Sequence, residues 1–181
     1  MPLTTYTAGE VLTAASLNSN LTAAGGLQFI KSQTIGTGVA SVTVTGAFSA
    51  TYDAYKIVVS GGAASAATNL RYQNGASAAS YYTGGTSTAY STNTVAGFSA
   101  SNAASLICGT TFTNSLITDL TVVAPFLAQP TYFSVGAVVY STDGGTGAGY
   151  HNVSTSYTSF VIFPQTGTLT GGTISVYGYA K

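Results

Sequence analysis

The sequence predicts an all-β protein: an antiparallel β-sandwich, jelly-roll-like, preceded by a short N-terminal arm. Three observations predict it. Apolar residues recur with period two along most of the chain after Gly26. Those runs are rich in Val, Ile, Thr, Tyr and Phe and are punctuated by Gly. No helical pattern long enough for a parallel crossover lies between them. With 181 residues and 45% apolar content, the chain can bury a core without disulfides or metals.

The arm comprises residues 1–26 and the head residues 27–181. In the arm, Leu12-Thr13-Ala14-Ala15-Ser16-Leu17 reads as a helix start. Thr13 is placed to accept from the amides of the first turn, and Leu12 and Leu17 stand at hydrophobic-staple positions. Leu17 and Leu21 are four apart and share a face, and Gly25-Gly26 stops the helix. So short a helix is not stable alone in water. It packs either on its own domain or on a partner chain through Leu12, Leu17 and Leu21.

In the head, Ala40, Val42 and Val44 alternate with Ser41, Thr43 and Thr45. Tyr55, Ile57 and Val59 share one face, as do Leu116, Leu120 and Val122. Phe133, Val135, Ala137 and Val139 form another such set, and Ile174, Val176 and Gly178 oppose Ser175, Tyr177 and Tyr179. Phe160-Val161-Ile162-Phe163 is apolar on both faces, which suits an interior strand ended by Pro164. The expected total is eight to ten strands. Residues 61–105 read as long loops with short strand pieces, and Gly144 to Gly149 reads as a glycine-rich loop before Tyr150 and His151.

Only eight residues are charged: Glu10, Lys31, Asp53, Lys56, Arg71, Asp119, Asp143 and Lys181. No basic patch exists to neutralise phosphates, and no polybasic anchor exists for an anionic membrane. Nucleic acid and membrane insertion are therefore not expected as partners. The densest apolar stretch, Val122 to Ala128, contains Pro125 and is too short to span a bilayer, and the N-terminus does not read as a secretory signal. Thirty Thr and 21 Ser take the place of charge. A nearly uncharged surface is poorly protected against association, which points to a protein that works inside an assembly.

The chain is poor in catalytic groups. General acid–base chemistry needs titratable groups held together, and the inventory is four carboxylates and His151. Asp119, Asp143 and His151 are the residues an enzyme would depend on, but no G-x-S-x-G elbow or P-loop is present. One His and one Cys do not make a zinc site. No catalytic residue, metal or cofactor is expected. Cys108, in an apolar run, is expected to be a buried small hydrophobe. His151 is either an exposed or locally bonded loop residue or a ligand contact.

Tyrosine in a field of Ser, Gly, Ala and Asn is the composition of an adaptable binding loop. Tyr81, Tyr82 and Tyr90, with Tyr150 and His151, are the candidate ligand-binding residues. Stacking and hydroxyl hydrogen bonds suit a neutral glycan or a polar protein surface. The alternative is that these are ordinary half-buried strand tyrosines.

The run Ala8-Gly9-Glu10-Val11-Leu12-Thr13-Ala14-Ala15-Ser16-Leu17-Asn18 resembles an attachment segment common in structural proteins of tailed bacteriophages. Ser16 stands where that segment often carries an acidic residue. Leu70-Arg71-Tyr72-Gln73-Asn74-Gly75, and Gly172 to Tyr179, look like the β-rich head domains of phage tail fibres. The resemblance implies a non-enzymatic virion protein, usually a homotrimer, that attaches to other tail or capsid proteins. The first expectation is a tail-fibre or tail-tip component that binds a host-surface glycan or protein. The alternative is a capsid or collar decoration protein, and a glycan-active enzyme or free lectin is a third class.

Overall fold

The computed structural model describes residues 7–11, 13–17, 26–139 and 143–181. Among these, fourteen strands occur in chain order: β1 (Leu27–Thr34), β2 (Val42–Val44), β3 (Ala54–Ser60), β4 (Ala63–Ala64), β5 (Thr68–Asn74), β6 (Tyr81–Ala89), β7 (Val95–Ala103), β8 (Leu106–Thr111), β9 (Leu116–Val123), β10 (Thr131–Val139), β11 (Asp143–His151), β12 (Phe160–Pro164), β13 (Leu169–Thr170) and β14 (Thr173–Tyr179). All pairings are antiparallel, and the fold is an all-β sandwich. Among the described residues no helix is long and apolar enough to cross a membrane.

Twelve strands share one ladder, and it forks at β9. One edge of β9 pairs with β3, which continues to β14 and β1. On the other edge, Leu116 to Thr118 pair with β8 and Leu120 to Val123 pair with β10. The β8 branch continues through β5 and β12 to β2 and folds over the rest. Ring contacts between unpaired strands show the two layers meeting. Tyr72 of β5 meets Phe133 of β10 edge-on at 5.4 Å. Phe48 sits between Tyr55 of β3, at 4.8 Å, and Phe160 of β12, at 5.6 Å.

Period two decides which face is buried. Tyr55, Ile57 and Val59 of β3, Ile174 and Val176 of β14, and Leu116, Leu120 and Val122 of β9 all enter one core. Phe133 and Val135 join it; Ala137 and Val139 continue β10, but their side chains fall outside the described set. β12 lies between β2 and β5, so Phe160 and Ile162 are fully buried and Pro164 closes the strand. Val161 and Phe163, on its other face, are only half buried. The strand around Val42 is shorter than its alternation suggests. Ala40 is exposed, and Val39 is already bonded to Leu169 in both directions. Cys108 is buried, its thiol donates to the Leu70 carbonyl at 3.4 Å, and burial pushes its pKa up to about 12.

The larger departure concerns residues 61–105, read from the sequence as long loops with short strand pieces, and Gly144 to Gly149, read as a glycine-rich loop. They hold β4 to β7 and β11, which is why the strands outnumber the eight to ten expected. β5 and β8 pair with each other, so the β6–β7 hairpin is an excursion between them. It pairs with β11 instead, and β10, β11, β6 and β7 form a flap extending from the sandwich. The glycines there serve close strand packing rather than turns. A β-carbon on Gly145 or Gly149 would collide with the Thr86 or Tyr82 carbonyl of β6, and one on Gly85 would strike the Phe98 ring.

In the arm, residues 14–17 form a single helical turn. Thr13 caps it, its Oγ1 accepting from the Ser16 amide at 3.1 Å. Leu17 is 42% exposed and Val11 81% exposed. Leu12, Leu21 and Gly25 lie outside the described residues.

Ile162→Ala should destabilise the protein by about 2–5 kcal/mol through cavity formation, measured by denaturant unfolding against the exposed control Thr88→Ala. Thr131 is fully buried and its Oγ1 has no hydrogen-bond partner. Thr131→Val should therefore be neutral or raise the melting temperature, because it removes an unsatisfied hydroxyl while keeping the shape. A loss comparable to that of Ile162→Ala would mean that this hydroxyl is satisfied.

Candidate functional site

The root of the flap is built on Asn74, the last residue of β5 and fully buried. Its Oδ1 accepts from the Tyr72 hydroxyl at 2.6 Å, and its backbone N–H donates to the Tyr81 hydroxyl at 2.7 Å. Its Nδ2 faces His151 Nδ1 at 3.3 Å. The other ring nitrogen, Nε2, faces Ser77 Oγ at 3.0 Å. The His151 ring stacks on Tyr81 at 4.3 Å and 18°. Burial lowers the His151 pKa, partly offset by a hydrogen bond to the Ala79 carbonyl, and burial raises the pKa of both Tyr72 and Tyr81.

Two candidate ligand residues are thereby corrected. Tyr81 and His151 are 0% exposed and present nothing to a ligand. His151 is neither an exposed nor a locally bonded loop residue: it ends β11 and bonds a residue 77 positions away. Ser77, His151 and Asn74 stand in hydrogen-bonding sequence, with the fully buried His151 ring at the centre. Asp143 lies at the opposite end of β11 from His151, roughly 26 Å away at the strand repeat, and Asp119 forms an ion pair with Lys56. These three residues do not converge.

The outer face of the flap is different. Alternation along β6 sends Tyr81 inward and Tyr82 outward. Tyr82 pairs with Tyr150 on β11, which pairs with Tyr132 on β10. The Tyr82 and Tyr150 rings stack at 4.9 Å and 10°, and Tyr132 follows at 6.4 Å, 52% exposed. Beside this comb of rings lies an open groove of about 390 Å³, lined by Tyr82, Tyr150, Gly84, Ala148, Ala100 and neighbouring backbone. The next outward pair along the strands is Thr86 with Thr146. Tyr90, 60% exposed, lies over Gly144 at the far end. It is eight positions from Tyr82, so the two stand roughly 26 Å apart and bound one long face.

The flap is almost free of charge. Residues 81–103 contain no charged side chain, and Asp143 is the only one on β11. The cations sit elsewhere: Lys31 bonds the Thr45 carbonyl, Lys56 and Lys181 pair with Asp119 and Asp53, and Arg71 donates to Gln165 at 2.7 Å. Among the described residues no group of three or more His, Cys, Asp or Glu gathers where it could hold a metal.

Sequence reasoning missed Asn74, Ser77 and Tyr132. The alternation of Leu70, Tyr72 and Asn74 was the signal for the first, since it places the amide on the buried face of β5. The period-two spacing of Gly145, Gly147 and Gly149 was the signal that this stretch is a strand. Compared with models of known protein families, with characterised proteins and with solved structures, the chain matches none.

The junction makes stability depend on pH. His151 is the only histidine, and no other side chain has an ordinary pKa between pH 5 and 8. The unfolded chain takes up a proton near pH 6.5, which the folded chain resists. Stability should be full above that pH and fall as the pH drops below it. Melting curves between pH 8 and 5 should show this slope in the wild type and lose it in His151→Gln. An equal slope in the variant would place the titration elsewhere.

Proposed function

We propose that this protein is a non-enzymatic structural component of a tailed-phage virion, of tail-fibre or tail-tip type. Residues 1–26 attach it to another virion protein, and the β-sandwich head carries the flap toward the host surface. The observation that carries this reading is the arm. Its described residues form a capped turn, with Val11 and Leu17 exposed rather than packed into the core cluster of the head. An apolar turn of this length needs a docking surface to persist, and a partner chain supplies one. The resemblance of residues 8–18 to a phage attachment segment agrees.

The edges of the ladder support self-association, and the resemblance to phage fibres points to three chains. β1 is protected by Lys31 and by a register shift between Phe29 and Lys31, and β2 has only three residues. β7 runs for nine residues with neither charge nor proline, and its outer edge is open. An edge of this kind is a template for pairing, and closed symmetry among identical chains is the usual way to satisfy it.

Leu17→Asp should abolish incorporation into particles while leaving the head folded, read from purified virions and from the melting of the isolated chain. Unfolding of the whole chain would assign the segment to the head's own core. Sedimentation of the wild type should give three chains, and a stable monomer at micromolar concentration would contradict the trimer. Incorporation at high copy on capsomers instead of the tail would favour a decoration protein.

A further inference from the structure

We infer that the groove beside Tyr82 and Tyr150 is a binding site for a neutral oligosaccharide. This rests on the reading of the flap as the host-contacting surface and names the ligand class that surface takes. The groove's volume, about 390 Å³, lies within the range of small-ligand sites. Its wall is aromatic: the Tyr82 and Tyr150 rings, stacked on each other, both line it, and phenol rings at a groove wall supply apolar contact and a polar hydroxyl of the kind a sugar ring takes. Its floor is formed by Gly84 and Ala148, which let a flat ring approach the strands closely. Beyond the floor, Thr86 and Thr146 offer hydroxyls that both donate and accept, matching the hydroxyls of a sugar.

Charge selects among glycans. No cation lies on β6, β7 or β11, and the only charged side chain there is the Asp143 carboxylate. A sialylated or sulfated ligand would meet no counter-ion on these strands.

The test uses the purified full chain on an array of neutral, sialylated and sulfated oligosaccharides, at low and high salt. Neutral glycans should be retained, with little change in affinity as salt rises, since screening acts on charges. Tyr82→Ala should weaken retention about tenfold or more, as loss of a central aromatic contact does, while Tyr82→Phe keeps most of it. Ala148→Gln, which fills the groove from an exposed position without touching the buried junction, should also weaken it. Retention of acidic glycans alone, retention of no glycan, or neutral binding unchanged in both Tyr82→Ala and Ala148→Gln would overturn the assignment. Because no particle is involved, such a failure leaves the incorporation result for Leu17→Asp standing.

Discussion

The flap rests on a single buried amide. β5 and β8 hydrogen-bond to each other, so the hairpin between them leaves the sandwich from one side and must be held at its root. Asn74 bonds three groups from three strands: through its side chain the Tyr72 hydroxyl of its own β5 and the His151 ring that ends β11, and through its backbone N–H the Tyr81 hydroxyl that begins β6. A buried polar group left without its partner costs about 1–3 kcal/mol, and removing the Asn74 side chain strands two at once, the Tyr72 hydroxyl and His151 Nδ1. The same groups are packed by aromatic rings, with Tyr81 between His151, at 4.3 Å, and Phe133, at 6.3 Å. Hydrogen bonding therefore sets the register, and ring packing excludes water from it.

That junction also fixes what the outer face presents. Adjacent strand residues point to opposite sides, so anchoring Tyr81 inward obliges Tyr82 outward. The β6–β11 register pairs His151 with Tyr81 and therefore Tyr150 with Tyr82, which is why two tyrosines stack in the open directly above two rings in the core. The glycines of β6 and β11 allow the close approach that keeps this register. An almost uncharged chain follows the same logic: the exposed face works through rings, hydroxyls and backbone, while the few ions tie down the sandwich behind it.

Much of the sandwich was legible because single-strand alternation is enough to define a buried face. Tyr55-Ile57-Val59, Leu116-Leu120-Val122 and Ile174-Val176 needed no knowledge of their partners, and the same holds for Phe160 with Ile162 and for the Thr13 cap. The flap was not legible. Gly145, Gly147 and Gly149 make a strand only because β6 lies close beside them, a fact held in residues sixty positions away. Tyr81 and Tyr82 are the same residue type in the same setting, and only the pairing with β11 tells which is core. His151 looked solvated because a lone imidazole is usually wet; its neutral burial is possible here because Asn74 and Ser77 satisfy both ring nitrogens. The staple and helix face assigned to Leu12 and Leu21 fall outside the described residues.

Native-state hydrogen exchange of Asn74→Ala against the wild type measures directly whether the flap depends on this junction. The amides of β6, β7 and β11 should lose protection together, while those of β3, β9 and β14 stay protected, because none of these three strands bonds the Asn74 side chain. Loss of protection spread evenly over all six strands, or unchanged protection in the flap, would show that the amide is not what holds it.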